Sequence, residues 1–316
     1  MSRLRLVFLG TSAAVPQKER FLSSLALQRE NGEIFLFDCG EGAQYQMMKF
    51  NIKMQKITKI FFSHFHGDHY FGIFGLLHTM KQQGRTAPLA IYGPFGIKQL
   101  FTGIFSADEN LGFNFPIDLF EITEEGFVCE GVDYRIFAKS VLHSVYTLAY
   151  AYIEKDRLGR FNKEKALAYK VPRGPKWREL QQGKAVLSSD NKVISPDMVL
   201  GKKRRGFKIV IGSDGLYDPE AFATFAAGAD VLIMEATFSD EKTDLAREKL
   251  HSTARWSAKI AAKAEAKRLI LTHISPRHKD DSLLTAQARE EFPEALVAYD
   301  GLEILLDRKE LDREQM

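Results

Sequence analysis

The stretch Ser63-His64-Phe65-His66-Gly67-Asp68-His69 constrains what this chain can fold into more than any other. It places three imidazoles and a carboxylate within six residues, directly after the apolar run Thr58-Lys59-Ile60-Phe61-Phe62. That run reads as a short buried strand, and Tyr70 to Lys81 carries apolar residues at helical spacing. The cluster therefore falls on a strand-to-helix loop. Along a helix, positions two apart face different directions, so His64, His66 and Asp68 cannot converge there. A loop hinged at Gly67 can aim all of them at one point. Imidazole with carboxylate suits zinc and related first-row divalent ions. The bland alternative is a histidine-rich surface turn. The chain has only eight histidines and three of them are here, which favours the metal site.

The chain has 316 residues, 45% of them hydrophobic, enough to bury a large core as one domain or as a domain with an insertion. No stretch reaches the roughly 18 consecutive apolar residues of a membrane span, so no membrane partner is expected. The N-terminal segment lacks the apolar region and cleavage site of a signal peptide. Cys39 and Cys129 are isolated, which argues against a disulfide framework and makes a reducing cytoplasm the expected location.

Strands are expected at Leu4 to Leu9, Ser24 to Gln28 and Ile34 to Phe37, the last two joined by the hairpin turn Glu30-Asn31-Gly32-Glu33. A helix through Gln44, Met47, Met48 and Phe50 follows, with both methionines read as core filling. Further strands are expected at Leu89 to Tyr92, Pro116 to Ile122, Tyr134 to Ala138, Val145 to Ile153, Phe207 to Gly212, Val231 to Phe238 and Leu269 to Thr272. Short strands follow at Leu296 to Tyr299 and Glu303 to Leu306. Helices are expected at Phe95 to Phe105, Ala254 to Lys267 and Leu283 to Glu291, and the charged tail is expected to fray. Strands alternating with helices in both halves imply an α/β chain with helix-covered sheets. Asp214 and His273 stand at strand ends and His143 opens a strand. Alone, His143 reads as structural.

The net charge of +3 is unevenly distributed. Between Lys155 and Lys208 there are 16 lysines and arginines against five acidic residues, a net of +11. The rest of the chain holds 28 of the 44 basic and 36 of the 41 acidic residues, a net of −8. A basic module on an acidic body points to a polyanionic partner. The same segment breaks the strand–helix alternation with five glycines and three prolines, and closes on Gly201-Lys202-Lys203-Arg204-Arg205-Gly206. Helical patches surround Lys163 to Tyr169 and Pro175 to Gln182. The segment reads as an insertion, residues 155–206, in a domain built from residues 1–154 and 207–316. A solvated linker is the bland alternative. Phe161, Tyr169 and Trp177, interleaved with the positive charge, favour a binding surface.

His64-Phe65-His66-Gly67-Asp68-His69 matches the HxHxDH signature of the metallo-β-lactamase superfamily. That resemblance implies an αββα sandwich with two metal ions. It implies that His64, His66 and His143 hold one ion, that Asp68, His69 and His273 hold the other, and that Asp214 bridges them. Zinc is the expected metal, two ions per subunit, with manganese or iron as alternatives. Within the superfamily the chain is similar to the ribonuclease Z family. Gly10-Thr11-Ser12-Ala13-Ala14-Val15-Pro16-Gln17-Lys18-Glu19-Arg20 resembles its PxKxR loop, and Phe37-Asp38-Cys39-Gly40-Glu41-Gly42 another of its motifs. Met234-Glu235-Ala236-Thr237-Phe238 resembles its HEAT box and His251-Ser252-Thr253 its HST box. The basic insertion, containing Gly174-Pro175, is similar to its flexible tRNA-gripping arm. Departures are Met234 where histidine is usual, Gly212-Ser213-Asp214-Gly215 around Asp214 in place of the usual GDT, Phe21 after the arginine where asparagine is common, and His278 where tyrosine is frequent.

This resemblance implies an endoribonuclease that removes the 3′ trailer from precursor tRNA, leaving a 3′-hydroxyl on the tRNA and a 5′-phosphate on the trailer. It also implies a homodimer. Asp68, Glu235 and His251 are the catalytic candidates: Asp68 to orient or deprotonate water, and His251, paired with Glu235, to protonate the departing oxygen. A structural hydrogen-bonding role for Glu235 is an equal alternative. Lys18, Arg20, Gly174, Pro175, Lys202, Lys203, Arg204 and Arg205 are the substrate-binding candidates. Another hydrolase on the same fold would need no basic arm, and an inactive RNA-binding protein would need no full ligand set.

Overall fold

Strict alternation along Arg3–Gly10 sends Leu4, Leu6 and Phe8 into one core and Val7 and Leu9 into another. The same division recurs at Thr147–Glu154, where Tyr150 and Tyr152 face one way and Ala149 and Ala151 the other. Strands buried on both faces read as near-continuous apolar runs, and this is why the helices must cover both outer surfaces. The computed structural model describes residues 3–105 and 112–314. Two seven-stranded sheets pack face to face. The first runs Glu303–Asp307, Arg3–Gly10, Ser24–Gln28, Ile34–Phe37, Ile57–Phe61, Leu89–Pro94, Ile117–Ile122. The second runs Leu296–Val297, Leu269–Thr272, Val231–Glu235, Lys208–Ile211, Thr147–Glu154, Tyr134–Val141, Gly126–Glu130.

The core between the sheets is aromatic. Phe37, Phe61, Tyr92 and Phe120 stand opposite one another on four adjacent strands, stacked at centroid spacings of 5.1, 5.0 and 4.7 Å. Outside the first sheet, helices Ala43–Lys49, Ile73–Gln82 and Ile97–Phe105 cover a second core. Outside the other, Pro219–Ala226, Ala254–Lys263 and Ser282–Arg289 cover a third. The result is an α/β protein layered αββα. Each sheet has a parallel half, and the parallel strands of both sheets end at the same edge, where ligands are held in open α/β sheets. Residues 64, 214 and 273 follow those strand ends. Among the described residues, no helix is long and apolar enough to cross a membrane.

Several expectations need correcting. The helix expected from Tyr70 begins inside the histidine cluster as the turn Gly67–Tyr70, followed by Ile73–Gln82. Gly67 keeps an ordinary φ, and its value is room: a Cβ there would lie 2.4 Å from the Phe71 ring. Met47 fills the core, but Met48 on the next helical position is 57% exposed. The edge strand Gly126–Glu130 escaped notice because only half-buried and exposed residues alternate along it. The charged tail does not fray over its described residues, and its last two residues lie outside them. It forms the helix Arg308–Glu314, with Leu311 inserted between the sheets.

Residues 155–206 form a small unit with helices Lys163–Ala168, Pro175–Gln181 and Pro196–Val199 and a two-stranded hairpin. Its own core contains Ala166, Val171, Leu180, Val186, Ile194 and Val199. Phe161 and Trp177 pack against that core and each other, with centroids 5.1 Å apart, and the Trp177 Nε1–H donates to the Val171 carbonyl. They are packing residues, leaving Tyr169 as the exposed aromatic of the three.

Truncating the middle of the ring stack, Phe61→Ala, is expected to lower stability by about 3–5 kcal/mol, the usual cost of emptying a buried aromatic site. Urea denaturation followed by circular dichroism would measure it, and a loss below about 1 kcal/mol would show that the stack is not limiting.

Candidate metal centre

At the shared edge the strand ends bring five histidines and two aspartates together. His64 Nε2, His66 Nδ1 and His143 Nε2 converge, with separations of 3.0 Å between His64 and His66 and 3.2 Å between His143 and His66. Beside them Asp68, His69, Asp214 and His273 converge: Asp214 Oδ2 lies 3.3 Å from His69 Nε2 and 3.0 Å from His273 Nε2. Asp68 Oδ2 lies 3.6 and 3.4 Å from the same two nitrogens. Asp214 Oδ2 is also 3.9 Å from His64 Nε2, so its carboxylate faces both groups.

The tautomers follow from what each outer nitrogen touches. His143 Nδ1 meets the Leu250 carbonyl at 2.9 Å, which only accepts, so Nδ1 carries the proton and Nε2 turns a lone pair inward. His69 Nδ1 donates to Asp38 Oδ2 at 2.7 Å. Ser63 Oγ donates to Asp38 at 2.8 Å and accepts from His64 Nδ1 at 2.9 Å. Thr237 Oγ1 donates to Glu235 and accepts from His273 Nδ1 at 2.9 Å. In their neutral forms these four rings therefore turn their Nε2 lone pairs toward one another. His69 Nε2 is buried and, among the described residues, makes no well-formed hydrogen bond, with Asp214 Oδ2 3.3 Å away. Nitrogen ligands at about 2.0–2.1 Å from a tetrahedral ion stand about 3.3 Å apart, close to the separations here. The residues fit divalent metal.

Burial lowers the His69 imidazole, but the Asp214 and Asp38 carboxylates on either side more than reverse this and hold it well above the ordinary value, so this buried site calls for positive charge. Burial would raise the Asp214 carboxyl, yet the His273 and His69 imidazoles facing it hold it well below the usual carboxylate range. Burial, with His69 alongside, pushes His64 well below the ordinary imidazole value. His251 sits next to His143, with ring centroids 5.0 Å apart, and its Nδ1 lies 3.0 Å from Glu235 Oε1. Burial lowers the His251 imidazole, but the Glu235 carboxylate more than reverses this and raises it to about 9. Glu235 is 1% exposed and also accepts from the Gly215 N–H at 2.6 Å. Gly215, at φ 154, has no room for a side chain: a Cβ would lie 2.2 Å from Val141. Thr253 caps the helix Ala254–Lys263, and the Ser252 hydroxyl donates to the Gly215 carbonyl, which fixes His251 between them.

The N-terminal loop completes the site. The Ala14 N–H donates to Asp68 Oδ2 at 2.8 Å, and Ser12 bridges to both Leu22 and Ile274, joining the two sheets. A cleft of about 730 Å³ opens here, lined by His66, His143, His251, His273, Phe238 and Arg277 among others. All seven proposed ligands and the Glu235–His251 pair thus lie in one place. The substrate-binding candidates divide. Lys18, Gly174, Pro175, Lys202 and Lys203 are exposed. Arg20 is committed internally, to Thr11, the Ala298 carbonyl and Asp281, because its side chain is mostly buried at the base of the loop. Arg204 pairs with Asp312 and Arg205 with Asp230. These three arginines act as braces. Gly174 holds φ 114 just before Pro175 opens its helix, a conformation that favours glycine.

The sequence reading gave Asp38 no role, yet this one carboxylate orients His69 directly and His64 through Ser63. Its place directly after the strand Ile34–Phe37 was the available signal. His278 donates to the Thr237 carbonyl at 3.2 Å, a bracing contact behind His273. Arg277 and Phe238, stacked 5.4 Å apart on the cleft wall, also went unmarked.

Comparison with known proteins extends these observations. A family model described as anti-Pycsar protein Apyc1 matches residues 4–102. Ribonuclease Z of Myxococcus xanthus is 42% identical over 309 residues, covering 97% of this chain and 99% of that protein. Ribonuclease Z of Methanosarcina acetivorans is 42% identical over 302 residues, covering 95% and 97%. The crystal structure of the human short-form tRNase Z superposes with a TM-score of 0.70 at 27% identity, covering 95% of this chain and 98% of that one. A metallo-β-lactamase fold protein of Bacillus subtilis superposes at 0.69 with 16% identity, covering 97% and 100%, a likeness of fold.

Asp38→Ala should weaken metal affinity by about 10–100-fold, the usual effect of losing the group that orients a ligating histidine. Competition against a chromophoric chelator would measure it. Unchanged affinity would mean that His64 and His69 hold their orientation without the carboxylate.

Proposed function

The chain belongs to the ribonuclease Z family, and on that premise we propose that it is the endoribonuclease that removes the 3′ trailer from precursor tRNA. The observation that carries this is the single cluster in which His64, His66, His143, Asp68, His69, Asp214 and His273 turn their ligand atoms on one another, with His251 beside it. His64, His66 and His143 would hold one divalent ion and Asp68, His69 and His273 a second, with the Asp214 carboxylate between them. Zinc is the proposed metal, manganese and iron the alternatives. The ions would make a water nucleophile available at neutral pH and neutralise charge on the phosphoryl oxygens.

The protein's own groups do the rest. Asp68, fixed by the Ala14 N–H and His273, orients the attacking water. As the water oxygen bonds to phosphorus and the bond to the 3′-oxygen breaks, that oxygen needs a proton. His251 lies at the cleft wall to give it, and the Glu235 carboxylate keeps the imidazole charged beforehand. The products are a 3′-hydroxyl on the tRNA and a 5′-phosphate on the trailer. Residues 155–206 form the arm that grips the tRNA body, with Lys202 and Lys203 at its root and Gly174-Pro175 among its exposed residues. A homodimer belongs to this reading, supported by the exposed Tyr45, Met48 and Phe71 around the helices covering the first sheet. A cytoplasmic location is supported by the free thiols of Cys39 and Cys129.

The direct test is incubation of the metal-loaded protein with a precursor tRNA bearing a 3′ trailer, mapping the cut to the nucleotide. No cleavage, or cleavage elsewhere, overturns the proposal. Within that assay, His251→Ala should keep its metal and lose roughly 10²–10⁴-fold in rate. The loss should shrink on a nitrophenyl phosphodiester, whose leaving group needs no proton. Equal losses on both substrates would make His251 structural. Replacing residues 155–206 by a short Gly/Ser linker should raise KM for precursor tRNA and flatten its salt dependence, since fewer phosphate contacts release fewer counterions. Hydrolysis of the small diester should survive. An unchanged KM and salt slope would reduce the arm to a linker.

A further inference from the structure

The arm leaves and re-enters the body through two chain segments that touch. Arg157 and Arg204 stand opposite each other in an antiparallel bridge, exchanging backbone hydrogen bonds of 2.8 and 2.9 Å, and Phe161 pairs with Leu200 further out. Between them Gly159 lies against Gly201, where a Cβ would come within 1.9 Å of the Gly201 carbonyl oxygen. This stalk sets two guanidinium groups directly across from one another, an arrangement that destabilises a two-stranded pair. Such a ribbon alone is marginal in water.

The counter-charge comes from the far end of the chain. Asp312, on the helix Arg308–Glu314, places Oδ1 2.9 Å from Arg157 Nη2 and Oδ2 2.9 Å from Arg204 Nη1, with Arg160 at 3.7 Å. Its side chain is 8% exposed. The helix that carries it is fixed on the body by Leu311 between the sheets and by Arg308, which pairs with Glu30 at 2.6 Å and Glu154 at 2.7 Å. Glu154 is the last residue before the arm. One carboxylate therefore ties both chains of the stalk to the catalytic body. The arm keeps a core of its own, and Lys155 with Glu130 and Arg205 with Asp230 each join one chain of its root to the body, whereas Asp312 engages both chains at once.

We propose that Asp312 is a positioning residue: it clamps the two chains of the stalk and holds the arm in the pose from which precursor tRNA is gripped. The last clause rests on the function proposed above; the clamp itself does not. Without the carboxylate the paired cations repel, the stalk opens, and the gripping pose is populated part of the time. A pose occupied a tenth of the time raises the apparent binding constant about tenfold.

The experiment uses the full metal-loaded protein carrying Asp312→Ala, Asp312→Asn or Asp312→Glu. Hydrogen exchange at the Arg157 and Arg204 amides reports the stalk, KM and kcat for precursor tRNA report the grip, and hydrolysis of a nitrophenyl phosphodiester reports the catalytic body. For the alanine and asparagine variants we expect faster exchange at both amides and KM raised about tenfold, with kcat and small-diester hydrolysis unchanged. Asp312→Glu, which keeps the charge, should recover most of the KM. Unchanged exchange and KM would overturn the proposal. So would parallel losses on both substrates with a lowered melting temperature, since Asp312 would then support the whole fold. If wild-type protein left precursor tRNA uncut while exchange still rose in the variants, the clamp would stand and the assigned substrate would fall.

Discussion

Everything at the site depends on two sheets closing over one aromatic core. Sheets stacked about 10 Å apart bring their strand ends to a common edge, and here both parallel halves end at the same one. Residues separated by as much as two hundred positions, such as Asp68 and His273, then stand 3.4 Å apart. The stacked rings of Phe37, Phe61, Tyr92 and Phe120 set the positions of the strands that carry Asp38 and His64, so packing in the middle of the molecule is transmitted to ligand geometry at its edge.

Convergence alone would leave four imidazoles free to rotate or take the wrong tautomer. The structure prevents this by giving each outer nitrogen an acceptor: Asp38 for His69, Ser63 for His64, Leu250 for His143 and Thr237 for His273. The hydroxyls of Ser63 and Thr237 pass the constraint on to the buried carboxylates Asp38 and Glu235. Glu235 serves twice, bracing His273 through Thr237 and holding the His251 proton. The two readings of Glu235, as structural partner and as half of an acid pair, are therefore compatible.

The basic arm is a second structure with its own core, joined to the body by a narrow stalk. Its charge is divided by function. Arg157, Arg204 and Arg205 are neutralised by Asp312 and Asp230 at the root, while Lys202 and Lys203 face solvent. Counting all sixteen basic residues of the segment as available to a polyanion would overstate its field.

The sequence by itself determined an α/β chain of helix-covered sheets, the histidine-rich cluster on the loop after Ile57–Phe61, and the strand-end positions of Asp214 and His273, while the αββα layering was what the resemblance implied. It could do so because buried strands and metal ligands are written in local periodicity and spacing. It also showed an abrupt change of composition over residues 155–206, the stretch in which the structure has a small unit with a core of its own. Only the tertiary structure decided the rest. Asp38 looked like one carboxylate among many until it was seen bonded to His69 and to Ser63. Arg20, Arg204 and Arg205 read as free cations because their partners Asp281, Asp312 and Asp230 lie far away in sequence. The tail read as frayed because its charges are balanced by the arm's root, and Phe161 and Trp177 read as surface because their packing partners also lie within the arm. In each case the missed fact is a contact between distant residues, and periodicity carries no record of which distant residue will be opposite.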